Sequence, residues 1–404
     1  MDPENICFLW RKPLCATSVF IFVRLSVPAH LADHILAVKG FLWRFFIMPD
    51  DFRFFLAANS PNGFFSSFNE FTNDSSIKKI YIIKGGPGCG KSTFMTRVAE
   101  NAVSRGQTAE LIHCSSDPRS LDGVILRPCG VAIVDGTAPH ITEPRFPAAF
   151  ETYINFADFW NEDGIRRNLN DIQRLTNAIS ANYKKTYSFI KAARCVSDAA
   201  FDSALPLVDI ERLSKRASGI IRREIPKKSS AERGSVKKRF LSAISSPASL
   251  CLFDTVDALA KRVFVLDDTY GFSHFMLSPI ADAAVNAGYD AYVCICPLNP
   301  EHKIDHVIIP ELSLAFITSN RFMKYGGDPY RRIRVDAYIS RASDKLTRKR
   351  LKLWLRMFSG MLESAGDSLK EAKAMHDELE TLYSPHIDFA AIGKKVTDLS
   401  EKLF

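Results

Sequence analysis

The sequence has no long apolar run, no metal-binding cysteine pattern and no large excess of one charge. A membrane-spanning helix needs roughly 20 consecutive apolar residues. The best stretch, Cys15 to Val23, is short and is broken by Arg24, with His30, Asp33, His34 and Lys39 following before an aromatic cluster at Phe41–Phe46. No membrane span is therefore expected. Arg11 and Lys12 precede that stretch as in a secretory leader, but no small-residue cleavage site ends it. The nine cysteines are scattered, and Cys294-Ile295-Cys296 is too tight for a zinc pair and has no second pair near it. Reduced thiols in a cytoplasmic protein are the expectation. A net charge of +8 over 404 residues suits an anionic ligand and does not argue for nucleic acid. With 47% hydrophobic and 24% charged residues, the composition is ordinary for a globular protein, so disorder is not the default, and the length allows two or three domains. Organised sequence begins at Met48-Pro49-Asp50-Asp51, so Met48 is the expected start and residues 1–47 are read as an extension foreign to the rest.

What is present is an internal duplication. Phe55-Leu56-Ala57-Ala58, Ser60-Pro61 and an aromatic run to Phe68 return as Phe240-Leu241-Ser242-Ala243, Ser246-Pro247 and a run to Phe253. Ile80–Ile83 returns as Val263–Leu266, Gly106 as Gly288, and Cys114-Ser115-Ser116-Asp117-Pro118 as Cys296-Pro297-Leu298-Asn299-Pro300. Asp122–Leu126 corresponds to Asp305–Ile309, and Val131–Val134 to Leu314–Ile317, at a nearly constant offset. Each unit reads as strand, loop, helix, strand, loop, strand, the pattern of a parallel sheet with crossover helices. A helical stretch follows each, marked by Ile172, Leu175, Ile179, Tyr183, Tyr187 and Ile190 in the first and Leu351, Leu355, Phe358, Met361 and Leu362 in the second. Ile190–Arg194 resembles Leu369–Lys373 within these tails. The basic, serine-rich segment 214–238 reads as a linker. The expected domains are 1–47, 48–213, 214–238 and 239–404.

The first unit carries Gly85-Gly86-Pro87-Gly88-Cys89-Gly90-Lys91-Ser92-Thr93, a complete G-x-x-x-x-G-K-[ST] sequence between an apolar strand and a helical pattern (Phe94, Met95, Val98, Ala99, Ala102). Glycines there let several backbone amides face one anion at a helix N-terminus. Lys91 is expected on the β- and γ-phosphates of ATP and Ser92 on Mg²⁺. Asp135, ending the apolar run Val131–Val134, is the expected second Mg²⁺ ligand. Gly136 stands where many ATPases place a catalytic Glu, so Asp117, His140 and Glu143 are the polar candidates for the remaining chemistry, Asp117 and His140 foremost. In the second unit the loop reads Asp267-Asp268-Thr269-Tyr270-Gly271-Phe272-Ser273-His274, and Thr318 replaces Asp135. Two carboxylates there oppose phosphate, so this unit is expected to bind no nucleotide in the same manner. The basic runs Ser214–Arg239 and Arg331-Arg332-Ile333-Arg334 read as a solvated linker and surface rather than as a nucleic-acid interface.

Together, Lys84–Thr93, His113-Cys114-Ser115-Ser116-Asp117-Pro118, Ser120-Leu121-Asp122-Gly123-Val124 and Val134-Asp135-Gly136-Thr137-Ala138-Pro139-His140 resemble an uncharacterised bacterial family of tandem P-loop ATPase-like proteins. The resemblance runs from Met48 to the C-terminus. It implies two fused P-loop folds with helical appendages and ATP binding, and it implies no particular reaction. Relatives in that family keep a glycine-rich lysine loop in the second half, which this sequence has lost. The expectation is an α/β protein of two tandem P-loop NTPase-like units, the second degenerate, binding Mg-ATP and hydrolysing it slowly as a conformational switch. A small-molecule kinase, its acceptor bound near Asp117, Asp122 and His140, and a non-catalytic nucleotide-sensing scaffold, binding a protein partner through its helices, are the alternatives.

Overall fold

The computed structural model describes residues 6–8, 23–25, 51–228, 232–246, 249–340 and 345–404. Residues 1–48 and 49–404 are two separate units. In the first, Ile6–Phe8 and Val23–Leu25 pair antiparallel. The expected start at Met48 and the Pro247 of the repeated Ser-Pro pair lie outside the described residues.

The second unit opens with β1 (Asp51–Phe54), a hairpin of β2 (Ala57–Ser60) and β3 (Gly63–Ser66), and the short α1 (Asn69–Asn73). β4 (Lys79–Lys84), α2 (Lys91–Ser104), β5 (Ala109–His113), β6 (Leu121–Leu126), β7 (Val131–Asp135) and β8 (Glu151–Asn155) follow. The first sheet runs β1-β5-β6-β7-β4-β8. Its near-continuous apolar strands are buried on both faces, as expected for a sheet covered by helices. The chain then forms α3 (Glu162–Arg166), the long α4 (Leu169–Ala204) and α5 (Ile210–Glu224).

The same series repeats. β9 (Val236–Arg239), β10 (Ser242–Ala243), β11 (Leu250–Cys251), α6 (Phe253–Leu259), β12 (Arg262–Asp267), α7 (His274–Asn286), β13 (Ala291–Cys296), β14 (Asn299–Ile309), β15 (Leu314–Ser319) and β16 (Arg331–Arg334) precede α8 (Lys345–Tyr383) and α9 (Phe389–Leu403). The second sheet runs β9-β13-β14-β15-β12-β16, the same order as the first with every strand replaced by its counterpart. The expected duplication is thus a duplication of topology.

Two expectations are corrected. Neither sheet is wholly parallel: β6 and β14 run antiparallel to both neighbours. The segments before and after β6, residues 114–120 and 127–130, are too short for a crossover helix, which needs a dozen or more residues. The supposed linker 214–238 is mostly not a linker. Its first part is α5, capped where Asp209 accepts the Arg212 amide, with Leu213, Ala217 and Ile220 buried on one face and the arginines on the other.

The halves meet about a pseudo-two-fold axis. Phe55 and its counterpart Phe240 exchange backbone hydrogen bonds of 2.9 and 2.8 Å, and both sit in one core with Phe54, Leu56, Leu241 and Tyr292. Because each residue meets its own counterpart, the contact has the geometry of an isologous dimer interface. α4 and α8 pack antiparallel, with Arg174 3.1 Å from Glu378 and Asn168 donating to the Leu382 carbonyl at 3.2 Å. Each terminal helix then crosses over. α5 of the first half buries Leu213, Ala217 and Ile220 against Met276, Ile280 and Ala284 of α7. α9 of the second half buries Ile392, Val396 and Leu399 against Phe94, Met95 and Val98 of α2. Paired bridges, Trp160 to Ile387 and Val208 to Ile339, hold the two crossings. The expected boundary at 213/239 therefore separates repeats in sequence but not independent bodies, since each half completes the core of the other.

Candidate functional site

β4 delivers the chain at Lys84 and α2 takes it up at Lys91; between them the glycine-rich loop turns at Gly88 (φ 64°) and Gly90 (φ 83°). Side-chain-bearing residues are disfavoured at such angles. Gly85 is required by space instead, since a Cβ there would lie 2.7 Å from Cys89 Sγ and 2.9 Å from Phe156 Cβ. Lys91 Nζ curls back to donate to the carbonyls of Gly86 (2.8 Å) and Gly85 (3.0 Å) and lies 3.6 Å from Asp135 Oδ2. Ser92 Oγ accepts the Leu121 amide at 3.0 Å, tying the loop to the start of β6. Asp135 ends β7, which is parallel to and paired with β4, so register alone places the carboxylate beside Lys91. Its Oδ1 accepts the Thr137 amide at 2.9 Å and also bonds the Thr137 hydroxyl. Residues 85–93 and Asp135, expected together from the sequence, are brought together.

The absence of a Glu after Asp135 has a steric cause. A Cβ on Gly136 would stand 2.3 Å from Ile82 Cγ2, so no side chain fits at that position. Of the other candidates, Asp117 is drawn away by charge. Lys373 of α8 lies 3.3 Å from it and Arg119 3.3 Å from it. Burial works against its ionised form, but these cations hold its pKa below the ordinary value. Glu143 is exposed and bound to Lys84 at 2.7 Å. His140 is buried, stacked on Phe68 with centroids 4.6 Å apart and edge-on to Phe64. Its Nε2 lies 3.1 Å from Asp122 Oδ2, and its Nδ1 has no partner among the described residues. Burial lowers its pKa, but Asp122 beside it and Asp135 further off raise it overall.

The kinase alternative expects Asp122 and His140 around one acceptor, and the fold brings these two together from different strand ends as a direct pair. Cys114 completes a trio with them whose donor atoms lie within 4.8 Å of one another, a set with the softness to hold a transition metal. The second half argues for a different role. There Cys296 and Asp305 repeat Cys114 and Asp122, and the cation is Lys303, 3.1 Å from Asp305. Each half thus sets a basic side chain beside the same buried carboxylate, an arrangement that a polar pair explains without a metal. The second-half pair is local in sequence, Lys303 standing two residues before Asp305, whereas nothing local joins Asp122 to His140.

Residues of the second half also close over the loop. A Cβ on Gly88 would come 3.0 Å from Glu380 Cβ, one on Gly90 3.3 Å from Phe389, and one on Gly86 3.5 Å from Tyr383. Sequence reasoning missed all three contacts. They arise because α8 and α9 cross over, and the repeat that builds the crossing, Leu205-Pro206-Leu207-Val208-Asp209-Ile210 against Ser384-Pro385-His386-Ile387-Asp388-Phe389, was there to be found.

In the second half the loop after β12 turns on itself. Asp268 accepts amides of Gly271 (2.9 Å), Tyr270 (3.2 Å) and Ser273 (2.6 Å), so its carboxylate occupies the ring of donors that the loop offers. His274 stands at the position of Lys91 and accepts the Ile304 amide at 3.1 Å, and Thr318, in place of Asp135, bonds Ser273 at 2.8 Å. A cavity of about 110 Å³ lies beside this loop, lined in part by Asp268, Lys303, Asp305, Thr318 and Phe358.

Comparison with family models, curated proteins and solved structures finds no match. Among the described residues no helix is long and apolar enough to cross a membrane.

Proposed function

We propose that the first half binds Mg-ATP through a P-loop and hydrolyses it slowly, and that the second half responds as the moving part of a switch. The observation that supports this reading is the meeting of Lys91 with Asp135, 3.6 Å apart, at a loop whose tight glycines open into the N-terminus of α2. Lys91 now satisfies itself on its own loop carbonyls, the arrangement expected of an ammonium able to turn to a phosphate. Ser92 and Asp135 are the residues that would hold Mg²⁺, which when bound supplies charge neutralisation at the phosphates. The half-buried hydroxyl of Ser92 and the buried carboxylate of Asp135 are oxygen donors of the kind a hard cation takes.

Slow turnover follows from what surrounds the site. Gly136 leaves no room for a carboxylate base, Asp117 is held by Lys373, and His140 is turned to Asp122. Burial of the His140 Nδ1 specifically favours a second reading, nucleotide sensing without chemistry, in which the same loop binds and nothing activates water. In both readings the signal leaves through Glu380, Tyr383 and Phe389, which pack on the loop from the second half. The deciding experiment measures ATP binding and phosphate release for the wild type, Lys91→Ala and Asp135→Asn. Binding and Mg-dependent release that both variants lose support the ATPase. Binding without release supports the sensor, and no wild-type binding of any triphosphate overturns both.

A further inference from the structure

The second basic run converges in the fold with arginines at and just before the start of the first. Arg212 and Arg216, one turn apart on α5 of the first half, face Arg332 and Arg334, which alternate onto one side of the edge strand β16 of the second half. With Ile333, Ala337 and Tyr338 they line a pocket of about 250 Å³. Arg212, Arg332 and Arg334 are exposed, and Arg216 is half-buried. The Arg212 guanidinium lies over the Tyr338 ring, 5.4 Å from its centroid. Arg332 is bonded to Asp267 at 2.6 Å, at the end of β12. Among the described residues no carboxylate is paired with Arg212, Arg216 or Arg334; the nearby Glu211 is engaged by Lys215 and Asp336 by Thr269.

Four like charges drawn together with one of them paired to a carboxylate cost stability, so the fold alone gives no reason for them. The first half supplies the control. β8 pairs with β4 in the register in which β16 pairs with β12, which sets Tyr153 opposite Arg332 and Asn155 opposite Arg334 as counterparts. Counted from the matching caps Asp209 and Asp388, the counterparts of Arg212 and Arg216 are Ala391 and Lys395. The same strand, turn and crossing helix are therefore built with a single cation in place of four. The arginines are specific to the half whose glycine-rich loop is lost, and they sit beside the strand end, β12, that leads into its replacement.

We infer that this pocket is an anion site for a compact, multiply charged phosphate compound, independent of the loop at Lys91. Guanidinium forks match pairs of phosphate oxygens, and four of them on a concave surface recognise several charges at once. The size of the pocket suits a di- or triphosphate group rather than a duplex, and one wall comes from each half, so occupation would strengthen the α5 crossing.

The test uses the full chain carrying Lys91→Ala, so that the glycine-rich loop does not compete, with inorganic tripolyphosphate as the probe in titration calorimetry. Binding tighter than ~1 mM is expected, weakening as salt is raised. Replacing all four arginines (Arg212→Gln, Arg216→Gln, Arg332→Gln, Arg334→Gln) should weaken it at least ~10-fold, while Arg222→Gln with Lys227→Gln should leave it within ~2-fold. The pair Arg332→Gln with Arg334→Gln, both on an exposed edge, keeps the test open if the fourfold variant melts early; it should give an intermediate loss. Equal binding by the variants, or equal loss in the control pair, overturns the inference. A labelled single-stranded oligonucleotide that binds where tripolyphosphate does not would overturn the compact-ligand class as well.

Discussion

The loops after β4 and β12 leave equivalent strands and enter equivalent helices, yet they solve opposite problems. In the first half the cation Lys91 is brought to Asp135 at the end of the neighbouring strand. In the second half Asp268 folds back onto three amides of its own loop, and His274 and Thr318 stand where Lys91 and Asp135 would be. The lesson is that equivalent loops can be settled in different ways. A carboxylate folded back on the amides makes a structural turn, while the surrounding topology stays unchanged.

The largest expected effect breaks that comparison at its centre. Lys91→Ala should reduce triphosphate binding or turnover at least ~100-fold, whereas His274→Ala should leave both unchanged; isothermal titration and phosphate release read the two outcomes. Next, Asp268→Ala should cost about 2–3 kcal/mol of stability by stranding three amides that now share a charged acceptor. Urea denaturation would show it as a lower midpoint, with nucleotide binding in the first half retained.

The charge pairs sharpen the comparison through pH. His140 has its pKa raised in the fold, so the stability it draws from Asp122 is fully present below the unfolded value near 6.5 and is lost as pH rises through the folded value. Substituting His140→Gln should therefore cost more at about pH 5.5 than at about pH 8.5. Lys303 is likewise raised by Asp305 and stays charged at both, so Lys303→Gln should cost the same at each. A His140 variant with no pH dependence would break the equivalence of the two pairs. The smallest effect is expected from Lys373→Met, which removes a partly exposed pair with Asp117 and should cost no more than about 1 kcal/mol.

Much of the fold was legible. Apolar runs at 80–83, 131–134, 263–266 and 314–317 became strands within a residue or two, and the helical spacing after Ile172 and Leu351 became α4 and α8. Antiparallel β6 and β14 were not read correctly, because burial on both faces gives the same apolar run in either direction. The helix α5 was masked by its arginines, since charge on one face says little when the apolar positions 213, 217 and 220 are few. At the site, the glycine-rich loop and Asp135 could be named because strand register and local backbone geometry place them. Asp122 and His140 could be grouped as loop-side polar residues but not as a direct pair, and the contacts of Glu380 and Phe389 and the arginine pocket could not be named, because each joins residues from separate strands or separate halves.

By itself, then, the sequence determined what is local or periodic: the strands, the long helices, the duplication and a loop whose glycines allow the tight turns seen at Gly88 and Gly90. Only the tertiary structure decided what depends on the pseudo-two-fold axis. Crossing of α5 and α9 carries side chains of each half onto the other, and contacts at that range are set by the packing of buried faces, which no spacing within one repeat records.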